Sequence, residues 1–422
     1  MTLEVVAGLL VFLITYALIA TERVHKTIAA MAGGVSMVLL GIVSQEHAFE
    51  AIDFNVIFLL AGMMILAGII RKTGVFGWVA VRAARFAGGD GYRVLVVMSL
   101  ITAIASAFLD NVTTVVLIGP ITLFLAARLG MSPFPLIVSE ILASNIGGAA
   151  TLIGDPPNIL IGSAADLDFV AFLVHMAPLS AILLVLYLFA ARWLFRGQLE
   201  TDPELRASLM ALDERGMIDD PKLLRSSLAV LGLTLVGFLF HGPLGYEPAT
   251  VALTGAVALM VIAREDPHEV LREVEWPTLF FFIGLFMLVA GIIEIGVIDA
   301  VADAIVALTG GALASTSLLV LWVSAVLSGV IDNIPYTATM IPVVDQLAGG
   351  HESDVLWWAL AIGADLGGNA TIIGASANVI LAALAEREGH PISFGAFLRY
   401  GLPVTLGSIL VSTAYVWLRY LL

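Results

Sequence analysis

Asn145-Ile-Gly-Gly-Ala-Ala-Thr-Leu-Ile-Gly-Asp-Pro-Pro-Asn158 decides the fold, because the chain carries it twice. Residues 365–378 run Asp-Leu-Gly-Gly-Asn-Ala-Thr-Ile-Ile-Gly-Ala-Ser-Ala-Asn, with the glycine pair, the threonine, the later glycine and the closing asparagine in register. Both copies interrupt long apolar runs. Paired glycines and consecutive prolines disfavour a continuous helix, so each copy predicts a helix that unwinds partway and restarts. Working outward, an offset of 222 residues sets Gly62 on Gly284, Gly74 on Gly296, Ser106 on Ser328, Asp110-Asn111 on Asp332-Asn333 and Pro120 on Pro342. After small slips, Phe172 and Pro178 meet Phe397 and Pro403. So many shared positions mark a duplicated unit, residues 1–195 and 226–422. The polar stretch 196–225 between them reads as a cytoplasmic linker with a short amphipathic helix in water.

Composition fixes the solvent. Of the 422 residues, 60% are hydrophobic and 13% are charged, with a mean hydropathy of +1.03. A soluble domain carries about 25% charged residues, so the expected fold class is an all-α polytopic membrane protein set in a lipid bilayer. The net charge of −15 and the lack of a basic tract exclude nucleic acid as a partner. Without cysteine, disulfides, thiolate metal sites and thiol capture of metalloids are excluded. No Gly-x-x-x-x-Gly-Lys loop occurs, so the chain itself is not expected to use ATP. No cofactor is expected, and no metal beyond sodium. The N-terminus lacks a basic stretch and a small-residue cleavage site, so the first apolar run reads as a retained span.

Five spans are expected per half: 4–20, 28–43, 55–70, 134–165 and 169–195, then 226–241, 249–263, 277–293, 353–388 and 394–420, the fourth of each being interrupted. Between the third and fourth spans, 94–128 and 315–347 read as re-entrant hairpins with Asp-Asn at the tip. Their polar tips favour this, since non-helical backbone at depth survives only inside protein or beside water. The amphipathic stretches 73–87 and 297–309 read as interfacial helices. Five is odd, so the second half is expected upside down relative to the first. With both termini outside, every basic residue except Arg419 falls on the cytoplasmic side, as the positive-inside rule requires.

Inverted repeats with broken helices place a site near the midplane. Four polar segments are expected to converge there. The tips supply Asp110, Asn111, Thr113 and Thr114, and Asp332, Asn333 and Thr337. The loops supply Asn145, Gly147, Gly148, Thr151, Asp155 and Asn158, and Asp365, Gly367, Gly368, Asn369, Thr371, Ser376 and Asn378. The glycines are expected to free carbonyls for a cation, the asparagines to donate and accept, and the hydroxyls to offer oxygen. Asp110, Asp155, Asp332 and Asp365 lie at expected membrane depth, where an ionised side chain costs about 2.5–3.5 kcal/mol. With no Arg or Lys expected nearby, these four are expected to hold protons, coordinate cations, or alternate between the two. Helix capping by Asp110 and Asp332 is compatible with either. Glu140 is a candidate proton relay and His175 reads as a bonded packing residue. Paired intramembrane aspartates also serve aspartyl proteases, but four polar loops in inverted pairs suit a carrier better.

Together the loop, the paired Asp-Asn tips and the inverted halves resemble the ion transporter superfamily over nearly the whole chain. The likeness is greatest to the branch of arsenite permeases, sodium/proton antiporters of the NhaD kind and the melanosomal P protein. More distant are the divalent anion/sodium symporters, whose tips carry Ser-Asn-Thr. Here those tips read Asp110-Asn111-Val112-Thr113 and Asp332-Asn333-Ile334-Pro335, and the added charge disfavours dicarboxylate or citrate uptake. The resemblance implies a secondary active elevator-type transporter of a small inorganic ion. It implies scaffolds 1–72 and 226–293, transport parts 94–195 and 315–422, proton or sodium coupling, and a homodimer in the cell membrane. Export of arsenite or antimonite is the leading expectation, with a separate ATPase subunit as a candidate partner. Sodium/proton antiport is the alternative.

Overall fold

The computed structural model describes residues 2–21, 23–210, 218–349 and 354–422, and every regular element among them is helical. The first half opens with α1 (Leu3–Thr21), α2 (Lys26–Leu39), the short α3 (Gln45–Glu50) and α4 (Phe54–Arg71). Then come α5 (Val75–Phe86), the hairpin α6 (Gly91–Phe108) and α7 (Asn111–Leu129), and the interrupted pair α8 (Phe134–Gly148) and α9 (Pro156–Ala164). It closes with α10 (Phe169–His175) and α11 (Ala177–Leu194), and the linker holds α12 (Pro203–Met210). The second half follows the same order with α13 (Pro221–Leu244), α14 (Pro248–Ala263), α15 (Pro267–Leu271) and α16 (Trp276–Glu294). Next are α17 (Val297–Thr309), the hairpin α18 (Leu313–Ser328) and α19 (Asn333–Ala348), and the pair α20 (Val355–Gly367) and α21 (Ser376–Arg387). It ends with α22 (Phe394–Val416) and a π turn, Trp417–Leu421.

Among the described residues, eight helices are long and apolar enough to cross a membrane, or nine if α9 and α10 form one bent span. Helices α2, α8, α14, α18 and α20 are apolar but shorter. The chain is therefore a multi-pass helical membrane protein.

Small residues set the packing, as is usual where lipid gives helices no hydrophobic drive to associate. Helix α2 lies along α16 and α4 along α14, so each pair joins the two halves. A Cβ on Gly34 would come within 2.6 Å of the Gly284 carbonyl oxygen, and one on Gly62 within 2.8 Å of Ala252. Each hairpin is held to its own broken helix, α6 along α8 and α18 along α20.

Three expectations change. The span at 169–195 divides at Met176, with Pro178 in the first turn of α11, and α10 turns 117° from α9. Proline lacks the N–H that would continue the helix, and its ring clashes with the preceding turn. Its partner Pro403 is absorbed inside the continuous α22. Second, the linker is not free in water: the Asp202 N–H donates to the Leu129 carbonyl, and the Asp219 N–H to that of Thr73. Third, the fourth span of the second half starts at Val355, and residue 353 lies outside the described residues.

Candidate ion-binding site

The two breaks, 149–155 and 368–375, are built alike. Ser106 Oγ donates to the Ser144 carbonyl (2.7 Å) and Ser328 Oγ to that of Ala364 (2.5 Å). Thr151 Oγ1 donates to the Ala107 carbonyl and Thr371 Oγ1 to that of Gly329, fastening each loop to its hairpin turn. Asn158 Nδ2 donates to the carbonyls of Gly148 and Thr151, as Asn378 Nδ2 does to those of Gly368 and Thr371. The carbonyls of Gly148 and Gly368 thus each accept from an asparagine, and Thr151, Thr371 and Thr337 donate their hydroxyls to backbone carbonyls, which leaves the hydroxyl oxygens' lone pairs open. The glycines are there for close approach: a Cβ on Gly147 would lie 2.2 Å from the Ala103 oxygen, and one on Gly367 2.5 Å from that of Ala325.

The polar side chains then meet across the halves. Asn145 Nδ2 donates to Asn369 Oδ1 and Asn378 Oδ1, both at 3.0 Å, while its Oδ1 accepts from Asn111 Nδ2 at 3.2 Å. Asp155 precedes Pro156 and Pro157, which offer no N–H to cap, so its carboxylate makes no cap bond. It accepts instead from Asn111 Nδ2 (2.9 Å) and Asn333 Nδ2 (3.3 Å), one from each tip. Asp155, Asp365, Asn145, Asn158 and Asn378 are fully buried, and Asn111, Asn333 and Asn369 nearly so.

Asp365 differs. It stands beside Asn158 and close enough to Asp155 for their charges to repel. Neither of its carboxyl oxygens has a hydrogen-bond partner among the described residues, nor does Asn158 Oδ1. A buried carboxyl group without partners is stable only with a proton or a cation on it. Asp365→Asn, which brings a donor to this group, is therefore expected to raise stability by about 1 kcal/mol. Thermal unfolding checks this; a clear loss of stability would mean that the carboxylate is already satisfied.

Asp110 and Asp332 do not join that cluster. Asp110 caps α7 through the Thr113 N–H (2.8 Å) and also accepts from Thr113 Oγ1; Asp332 caps α19 through the Ile334 N–H (3.1 Å). Both line a cavity of about 560 Å³, with Glu275, Lys26, His25 and Ser376 among its other walls. The expected absence of a nearby basic residue is wrong for Asp332, whose Oδ2 lies 3.2 Å from Lys26 Nζ. A second bridge joins Tyr16 of α1 to hairpin two, its hydroxyl donating to the Pro335 carbonyl (2.6 Å) and meeting Thr339. Lys26, Tyr16 and Glu275 are the site residues that sequence reasoning misses. One signal is present for Lys26: a lysine opening a helix sits against the macrodipole, and such local conflicts mark function.

A smaller cavity, about 240 Å³, is lined by Asn55, Asp166, Asp168, His241, Glu247 and Pro248, among others. There Asn55 bridges Ser163 and the Ala249 N–H, and His241 Nε2 accepts from the Phe169 N–H. Glu140 accepts from Thr122 Oγ1 in α7; its Oε2 and the Thr114 hydroxyl are buried without a partner among the described residues. No hydrogen bond among the described residues links Glu140 to the asparagine cluster. His175 packs as expected, stacked on Trp358 and bonded to the Tyr420 hydroxyl.

An all-helical bundle with paired broken helices around buried asparagines and aspartates defines a membrane carrier, and the comparisons agree. Residues 16–363 match the family model described as CitMHS, citrate transporter, and the chain belongs to that family within the ion transporter superfamily. A 46 kDa membrane protein of Mycobacterium leprae is 46% identical over 99% of each chain, and an uncharacterized transporter of Mycobacterium tuberculosis is 46% identical over 98% of each. The human P protein is 34% identical over 95% of this chain, which spans 58% of that protein's length. In fold, the chain is similar to the crystal structure of the Alcanivorax borkumensis YdaH transporter, with a TM-score of 0.59 and 16% identity over 99% of this chain and 97% of that one.

Proposed function

We propose that this chain is a secondary active carrier that exchanges sodium for protons. The observation that carries the reading is the sign of the larger cavity, where Asp110, Glu275 and Asp332 face the single ammonium of Lys26. Like charges repel most strongly away from bulk water, so citrate or another polyanion fits this wall poorly. The buried Asp155 and Asp365 supply the proton- or cation-holding pair. The hydroxyls of Thr27, Thr278 and Ser376 in the same wall favour a second reading, export of neutral arsenous or antimonous acid.

The cross-half pairs α2–α16 and α4–α14 suit a fixed scaffold, and the hairpins with their broken helices suit a moving elevator block. In support of re-entrance, α7 and α8 run from a shared turn at 130–133 back to one polar level, where Asn111 meets Asn145. Lys26 lines the larger cavity, and Arg23, Arg264 and Arg272 fall in the connections that the charge bias assigns to the cytoplasm, so on this reading the cavity opens to the cytoplasm, with both termini outside. We place the carrier in the cell membrane as a homodimer.

In liposomes holding the purified chain and an acidic lumen, sodium added outside is expected to collapse the proton gradient, followed by a pH-sensitive dye. Collapse by arsenite or antimonite instead would establish the second reading. A response to citrate alone would overturn both.

A further inference from the structure

Lys26 opens α2, the helix packed along α16, yet its ammonium is spent on the other set of helices. Its Nζ lies 3.2 Å from Asp332 Oδ2, contacts Ser376 Oγ, and sits 5.1 Å from the centre of the Phe281 ring. Ser376 Oγ also donates to that same Asp332 oxygen, at 2.6 Å. Asp332 begins hairpin helix α19 and Ser376 begins α21, so one ammonium ties two moving starts to the α2–α16 pair. The matching tip residue Asp110 is bonded within its own turn to Thr113.

We propose that Lys26 is a tethered stand-in for the transported cation. Its ammonium holds the Asp332–Ser376 oxygens when no cation is bound, and sodium displaces it on binding. This rests on the sodium reading above. An ammonium and a sodium ion carry the same charge and suit the same oxygen donors, and the face of Phe281 is attractive to either. Tethering gives the lysine a high effective concentration, so it is an ever-present competitor. At rest Asp332 is then paired whether the carrier is loaded or empty, and the tie holds an empty hairpin two to the α2–α16 pair until sodium releases it.

Two measurements on the full chain test this. The chain has three lysines, Lys26, Lys72 and Lys222. Sodium chloride, but not choline chloride at equal ionic strength, should raise the labelling of Lys26 by an amine reagent relative to the other two, read by mass spectrometry. In thermal unfolding, Lys26→Met should lower the half-effect concentration of sodium about tenfold, and adding Asp332→Asn should abolish the sodium effect. Unchanged Lys26 labelling together with an unchanged half-effect concentration overturns the proposal, and the labelling result stands even if Lys26→Met does not fold. Should wild-type liposomes carry no sodium while the Lys26→Met shift and its loss with Asp332→Asn are seen, the inference holds and the antiport reading falls. Sodium transport with neither change would leave antiport standing and remove the stand-in role of Lys26.

Discussion

Asp155→Asn is expected to cut sodium-driven proton exchange about 100-fold and still yield a folded protein. Among the described residues, the Asp155 carboxylate is the one group that both hairpin tips hold, through Asn111 at 2.9 Å and Asn333 at 3.3 Å. An amide cannot take up a proton and offers a bound cation no charge; the loss of one charge-assisted contact to the ion, about 3 kcal/mol, is about 100-fold in affinity. The substituted amide keeps the shape and at least one acceptor, so the asparagine cluster survives. Proton flux in liposomes, set beside thermal unfolding of the same preparation, checks both halves of the expectation. Flux near half the wild-type level would place coupling elsewhere.

The other large effect is on stability. Gly147→Ala is expected to destabilise the chain by about 1–3 kcal/mol or more through overpacking. Its new Cβ would sit 2.2 Å from the Ala103 oxygen and 2.5 Å from the Ala103 Cα, and both are backbone atoms of α6 that cannot rotate away. Either α6 and α8 separate, opening the hairpin from its broken helix, or the loop shifts and breaks the Thr151 tie to Ala107. Gly77→Ala in α5 is the control, because nothing lies within 4 Å of its Cβ position. There alanine is expected to stabilise by about 0.5–1 kcal/mol, as in any unobstructed helix. Thermal unfolding should move in opposite directions for the two; movement in the same direction would refute the close-packing account.

Much of the arrangement is legible in the sequence because the repeat is written in residues with few uses. Glycine pairs, prolines and Asp-Asn tips at matching positions foretell two interrupted helices and the meeting of Asn111, Asn145 and Asn333 with Asp155. Expectation and structure part where a residue's role depends on its partner. The carbonyls of Gly148 and Gly368 are expected to be open, yet Asn158 and Asn378 donate to them, a contact between residues ten apart that spacing alone does not specify. Lys26 reads in the sequence as a loop charge, since its contact with Asp332 lies 306 residues away along the chain. Pro178 and Pro403 occupy equivalent places, but one helix breaks and the other does not, so the proline alone does not specify the break.

The two cavities have a consequence for direction. Shifted by 222 residues, Ile19, Ala20, Val24, His25, Lys26 and Pro277 of the larger fall on His241, Gly242, Tyr246, Glu247, Pro248 and Asn55 of the smaller. They are the same doorway written twice, with one decisive change: where the first has Lys26, the second has Pro248. In a carrier whose halves trade conformations, a cation arriving through the second doorway meets Asp166, Asp168 and Glu247 and no tethered ammonium to expel. Loading then takes less sodium on one face than on the other, so the gradients set the direction of net travel while a single side chain sets how unequal the two faces are.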